Sequence, residues 1–118
     1  MQYAVLVYET DADFAARTDD AQKAAYWGAF SAYSQALAEA GVISGGAALH
    51  PPQTSTTVRL SDSQPQVQDG PYADTKEQLG GFFLLEVADL DAALEWAARC
   101  PAAATGAIEV RPVLPMTA

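Results

Sequence analysis

Residues 2–9 read QYAVLVYE, and this stretch decides the fold. The run is β-prone and apolar on both of its alternating faces, which predicts a strand that is covered on both sides. Residues 82–87, FFLLEV, predict a second strand of the same kind. A sheet that contains both strands therefore needs a covering layer on each face.

The segment after the first strand predicts the longest helix. Residues 10–18 are polar and predict an irregular connection, and Asp19 with Gln22 gives a start that resembles a capping box. Gly41 is the expected helix stop. One helical stripe is formed by the apolar residues Tyr26, Phe30, Tyr33, Leu37 and Ala40.

The remaining elements complete an α+β pattern. A short helix is expected after Asp89, which acts as its cap, with Leu90, Leu94 and Ala97 on its inward side and Pro101 closing it. Residues 61–63 are expected to form a turn, and Pro65 confines the returning strand of the hairpin to a sheet edge. The other predicted strands are residues 42–49, 56–60 and 108–113, and the returning strand of the hairpin is residues 66–68.

This order of elements predicts a ferredoxin-like split βαβ fold with an extra hairpin, in a single domain of residues 1–118. Two helices cover only one face of such a sheet. The other face would leave valine, leucine and phenylalanine side chains in water, which is abnormal for a monomer. We therefore expect a homodimer that forms through the open sheet face.

Composition excludes several classes of function. The chain has 118 residues, and six basic against fifteen acidic residues give a net charge of −9. The basic residues are scattered, so nucleic acids and anionic membranes are not expected partners. With one His and one Cys, a metal site is not expected, and no nucleotide-cofactor motif is present. The lone Cys and the absence of a signal-like segment favour the cytoplasm.

Residues 69–98 carry a recognisable signature, DGPYADTKEQLGGFFLLEVADLDAALEWAA. This run resembles the DGPF motif and the following strand and helix of the YCII-related family, with Tyr72 in place of the Phe. Residues 1–9, 45–60 and 108–113 are also similar to that family. The resemblance implies a dimeric α+β barrel in which two sheets face each other.

The resemblance also bears on function. Some members of the DGPF branch are encoded beside extracytoplasmic-function sigma factors, which implies a protein partner in signalling. Other YCII-related proteins act on chlorinated or hydroxylated aromatic-derived rings with a His–Asp pair, the His lying on the first helix. The corresponding helix here, DDAQKAAYWGAFSAYSQAL, contains no His. The His–Asp pair is therefore not carried over.

The Asp69–Gly70–Pro71 turn has two interpretations. Asp69 fixes its own loop through local backbone amides, as Asp in turns often does, or it presents a carboxylate to a cavity as a base or an anchor. Lys76 either receives an anionic substrate or pairs in solvent with a neighbouring carboxylate. His50 is either a general base or an exposed loop residue before two prolines.

Other side chains complete the candidate site. Gly70, Tyr72, Thr75 and Arg59 are assigned to ligand binding. The strand residues Glu9, Glu86, Arg59 and Arg111 form either a polar cluster in a dimer cavity or ion pairs. Tyr26, Trp27, Phe30 and Trp96 line an aromatic pocket or pack in the core, where helical spacing places Tyr26 and Phe30. Cys100 is expected to be a small buried hydrophobe.

Two hypotheses of function follow. In the first, a pocket between sheet and helices binds a small organic ligand, and lyase- or isomerase-type proton abstraction uses Asp69 as base while Lys76 stabilises negative charge, with His50 in the polar lining. In the second, the protein is a non-catalytic accessory or sensor dimer linked to sigma-factor signalling. A purely structural interaction module without a pocket is a third alternative.

Overall fold

A computed structural model describes residues 1–116 and confirms the ferredoxin-like α+β fold. The main sheet has the strand order β2-β5-β1-β6 and is antiparallel throughout, while β3 and β4 form a separate ribbon. The strands are β1 (Gln2–Glu9), β2 (Ile43–Ala48), β3 (Thr56–Ser61), β4 (Gln64–Asp69), β5 (Gln78–Glu86) and β6 (Ala107–Pro112). The helices are α1 (Asp11–Ala16), α2 (Lys23–Glu39) and α3 (Leu90–Ala98).

The two faces of the main sheet are buried to different extents. Alternate residues of β1, from Tyr3 to Glu9, are buried on the side of the helices, where Tyr33 and Leu37 of α2 join the core. The shortest dimension of the molecule is 19 Å, which matches one sheet and one layer of helices. The opposite side, which we call the open face, presents half-buried Ala4, Leu6, Tyr8, Phe82 and Leu84.

The predicted start of the long helix is confirmed only in part. Asp19 caps the turn that leads into the helix, because its Oδ2 accepts from the Ala21 amide at 3.1 Å and its carbonyl accepts from the Lys23 amide at 2.8 Å, but Gln22 does not complete a capping box. Helix α2 begins at Lys23, and Gln22 precedes it without a side-chain cap. The capping box lies earlier, where the Thr10 hydroxyl accepts from the Asp13 amide and the Asp13 carboxylate accepts from the Thr10 amide. This reciprocal pair starts α1 inside the stretch that was expected to be irregular.

Helix α3 confirms its predicted cap and one of its three predicted inward residues, Ala97, but not Leu90 or Leu94. Asp89 Oδ1 accepts from the Ala92 amide at 2.9 Å. Ala93 and Ala97 are buried, whereas Leu90 and Leu94 are nearly half exposed. Small side chains at the contact allow the helix to lie close to the sheet, so the larger leucines are left at its flanks.

The β3–β4 hairpin projects from the domain. Asp62 and Ser63 both have positive φ, as a tight two-residue hairpin turn requires, which confirms the predicted turn. Strand β4 is longer than predicted and includes Pro65, which an edge strand tolerates. We call residues 56–69 the arm.

Candidate functional site

A cavity of about 480 Å³ lies between helix α2 and the strands β2 and β5. We call it the helix-side cavity. Its walls are mainly apolar and include Val7, Trp27, Phe30 and Phe83. Ser31 and Ser34 of α2 add two hydroxyls to the lining. The volume falls in the range that holds a small organic ligand.

One end of this cavity is closed by a buried ion pair. Arg17 Nη2 donates to Glu9 Oε2 at 2.7 Å, and the two residues expose only 8% and 1% of their surface. Glu9 occupies the last buried position of β1, and Arg17 ends helix α1. Removing two charges from water is costly, so such a pair persists only where further hydrogen bonds complete it.

Tyr26 and two backbone carbonyls complete the hydrogen bonding of the pair. The Tyr26 hydroxyl accepts from Arg17 Nε at 2.9 Å and donates to Glu9 Oε1. Arg17 also donates to the Gly80 carbonyl at 3.0 Å and to the Leu49 carbonyl. Burial, together with the hydrogen bond to Glu9, holds the pKa of Tyr26 well above its ordinary value. The phenol therefore stays protonated at neutral pH.

Aromatic rings surround the Arg17 guanidinium. Its central carbon lies 4.9 Å from the ring centroid of Phe14, 5.6 Å from that of Tyr26 and 5.5 Å from that of Trp27. The Trp27 indole N–H donates to the Arg17 carbonyl at 3.1 Å. Cation–π contacts are stronger in such a desolvated setting. Tyr26 and Trp27 thus belong to the polar end of the cavity as well as to its walls.

Gly80 leaves room for the ion pair. A Cβ atom at this position would lie 1.9 Å from Glu9 Oε2 and 3.1 Å from Arg17 Nη2. No side chain fits there unless the carboxylate moves. The glycine at the start of β5 is therefore part of the site.

The three residues predicted to be catalytic lie outside the helix-side cavity. All three are exposed: Asp69, Lys76 and His50. Asp69 ends the arm, where it pairs with Thr56. The adjacent Gly70 is held by backbone contacts, because its amide donates to the Ser55 carbonyl at 2.7 Å and its carbonyl accepts from Thr57 Oγ1 at 2.8 Å.

A second cavity, of about 570 Å³, brings together three of the predicted site residues. His50, Tyr72 and Thr75 line it at the base of the arm, next to Tyr8 of the open face. We call it the arm-base cavity. Arg59 contacts it indirectly, since its guanidinium carbon lies 5.5 Å from the Tyr72 ring centroid.

The other strand charges form ion pairs within the chain. Glu86 pairs with the N-terminal amine at 2.8 Å, and Arg111 Nη2 pairs with Glu109 Oε2 at 2.8 Å. The hydrogen bond from Arg111 lowers the pKa of Glu109. Cys100 is buried in the core as predicted, and burial raises the pKa of its thiol to about 11.

Sequence reasoning missed Glu9, Arg17 and Gly80 as one site. The available signal was the alternation of β1, because Glu9 shares the side of Tyr3, Val5 and Val7, which is buried. A carboxylate in a buried row requires a cation. The position of that cation depends on α1, which was not predicted.

The described residues, 1–116, contain no helix long and apolar enough to cross a membrane. Within the same residues, no group of three or more His, Cys, Asp or Glu side chains is placed to hold a metal ion. The cytoplasmic location stays a prediction.

The fold and the enclosed polar cluster define a ferredoxin-like α+β domain with a cavity beneath its long helix. The family model of the YCII-related domain matches residues 1–117. An uncharacterised protein of Rhizobium meliloti (strain 1021) is 38% identical over 115 residues, which cover 96% of this chain and 92% of that protein. The chain belongs to the YCII-related family. Its place in the DGPF branch stays a prediction that rests on residues 69–72.

Proposed function

We propose that the chain is a small-ligand-binding protein and that the helix-side cavity is its site. The observation that carries the proposal is the buried Glu9–Arg17–Tyr26 cluster at one end of a mainly apolar cavity. Ligand sites combine apolar walls with a few fixed polar groups in this way. The best-fitting ligand is a compact, oxygenated organic molecule with an apolar body and one polar end.

The cluster favours orientation of a ligand over capture by net charge. Arg17 and Glu9 neutralise each other, and four of the five guanidinium N–H groups already have partners. The positions of these groups are fixed before any ligand enters. Such preorganisation reduces the entropy lost on binding.

The catalytic hypothesis is narrower than the binding proposal. Lyase or isomerase chemistry by Asp69 and Lys76 requires both side chains to reach a bound substrate, and both are exposed outside the helix-side cavity. It stays a prediction, as does the accessory or sensor role beside a sigma factor. Unchanged turnover in folded Asp69→Asn would rule out Asp69 as the base.

Tryptophan fluorescence tests the binding proposal. Trp27 lines the cavity, whereas Trp96 lies on α3 near Arg99, so Trp27→Phe and Trp96→Phe are matched variants. Small oxygenated compounds are titrated into the wild type and into each variant. We expect a saturable emission change in the wild type and in Trp96→Phe, and its loss in Trp27→Phe. If the saturable emission change persists in Trp27→Phe and disappears in Trp96→Phe, the ligand binds outside the helix-side cavity.

We also propose that the chain forms a homodimer through the open face. Leu6, Phe82 and Leu84 are only half-buried there, and the helices cover the opposite side. A second copy would remove this apolar surface from water at about 25 cal/mol per Å². Sedimentation equilibrium at micromolar concentration should give the mass of two chains, and a folded monomer would contradict the proposal.

A further inference from the structure

The arm has one polar and one apolar side. Thr57, Arg59, Gln66 and Gln68 share the first, according to the register of β3 with β4. The second carries Val58, Leu60, Pro65 and Val67. Val58, Leu60 and Val67 expose 63%, 73% and 67% of their surface. The arm therefore presents a continuous apolar strip to solvent.

Among residues 1–116, the contacts that hold the arm to the rest of the chain lie near its base. The bonds of Gly70 to Ser55 and Thr57 tie its two ends together, and every residue of β4 is exposed. A two-stranded hairpin is only marginally stable in water unless its apolar side packs against something. The described residues of a single chain do not provide that packing for the strip.

The dimensions of the chain indicate how much surface remains to be covered. A compact protein of this mass exposes about 6100 Å², whereas this chain exposes 7776 Å². Its radius of gyration is 16.0 Å, against roughly 13.5 Å for a compact domain of this length. The excess of about 1700 Å² per chain falls in the range that each subunit hides in a large, permanent dimer.

We infer that the arm is a dimerisation arm, which packs its apolar strip against a second copy of the same chain. The inference rests on the proposed open-face dimer and adds the arm to it. A two-fold axis makes each contact occur twice, so each subunit gives one arm and receives one. A second copy fits because the described part of the chain leaves two apolar surfaces uncovered, the strip and the open face.

A pair of lysine substitutions on β4 tests the inference. Val67→Lys places a charge on the apolar strip, and Gln66→Lys places the same charge one residue away on the polar side. Both positions are exposed in the single chain, so both variants should fold, which circular dichroism checks. We expect Val67→Lys to raise the dimer dissociation constant at least tenfold, and Gln66→Lys to leave it within about twofold.

The outcomes separate the arm from the dimer itself. If the wild type is a dimer and the two variants have the same dimer dissociation constant, the arm inference is overturned, whereas the proposed open-face dimer is retained. A wild type that is monomeric at every concentration overturns both and assigns the strip to a different protein. Hydrogen exchange is a second readout that needs no variant: protection of the arm amides should rise as the wild type is concentrated, and protection that is independent of concentration contradicts the inference.

Discussion

The Glu9–Arg17 pair and the Asp69–Lys76 segment carry the same kinds of charge in opposite environments. The first pair is buried, bonded to Tyr26 and enclosed by aromatic rings. In the second region, Asp69 at the end of β4 and Lys76 in the following loop are both exposed to solvent. The segment with the most recognisable sequence is therefore not the segment that encloses charge in a cavity.

The difference shows what each region needs in order to persist. A solvated Asp or Lys costs little and needs no partner. A buried pair requires its full set of hydrogen bonds, and here these come from Tyr26 of α2, Gly80 of β5 and Leu49 after β2. Because the surrounding elements are arranged around Glu9 and Arg17, changes there should have effects that changes at residues 69–76 do not.

The largest expected effect comes from breaking the buried pair. Glu9→Gln leaves the Arg17 charge without a counterion and should lower the free energy of unfolding by about 3–5 kcal/mol. Lys76→Met, at an exposed cation, should change it by less than about 0.5 kcal/mol. Urea denaturation of both variants measures the difference. Equal losses of unfolding free energy in the two variants would mean that the buried pair stabilises the fold no more than the exposed Lys76 does.

Gly80→Ala should have the next largest effect. Its Cβ would overlap the Glu9 carboxylate, so we expect a loss of about 3 kcal/mol in unfolding free energy. Gly28→Ala is the matched control, because a Cβ in the middle of α2 meets nothing within 4 Å. That variant should gain about 0.5–1 kcal/mol. Thermal unfolding of both variants measures the two changes. A Gly80→Ala protein as stable as the wild type would refute the steric argument.

Removing one hydroxyl should have a smaller effect. Tyr26→Phe deprives Glu9 of a donor and Arg17 Nε of an acceptor, which should cost about 2 kcal/mol. Tyr72→Phe removes a hydroxyl from an exposed ring and should be nearly neutral. Denaturant titration compares the two, and a Tyr26→Phe protein as stable as Tyr72→Phe would show that the bridge does not stabilise the pair.

The smallest expected effect is a pH dependence in the core. Burial raises the pKa of Cys100 from 9.0 to about 11, so the folded state keeps a proton that the unfolded state releases. Stability is therefore retained below pH 9 and falls as the pH rises from 9 towards 11, by about 1 kcal/mol between pH 8 and pH 10. Cys100→Ala should show a shallower fall over this interval. An identical slope in both proteins would contradict the assignment.

Much of the fold could be predicted from local patterns. The β-prone, apolar run of residues 2–9 and the Asp89 cap predicted elements that the structure confirms. The burial of Ala93 in place of Leu90 and Leu94 could not be predicted, because it depends on how closely α3 packs on the sheet. Helix α1 could not be predicted either, because Thr10 caps a helix that hydrophobic spacing does not reveal. Local rules describe single elements, and these features depend on contacts between elements.

The candidate site was harder to predict for the same reason. Gly80 lies 63 positions after Arg17 in the sequence, and Glu9, Arg17 and Gly80 meet only when β1, α1 and β5 are assembled. The residues that sequence reasoning favoured, Asp69 and Lys76, are neighbours in a conspicuous motif. Their predicted catalytic role stays untested, and a motif by itself does not show where a cavity forms.

The most direct test is an amide and indole NMR titration of the ¹⁵N-labelled protein with a set of small oxygenated compounds. Binding in the helix-side cavity predicts shifts that cluster at the Trp27 indole N–H and the amides of Ser31, Ser34 and Gly80. Shifts that cluster instead at His50, Tyr72 and Thr75, with Trp27 unmoved, would contradict the account and move the site to the arm-base cavity.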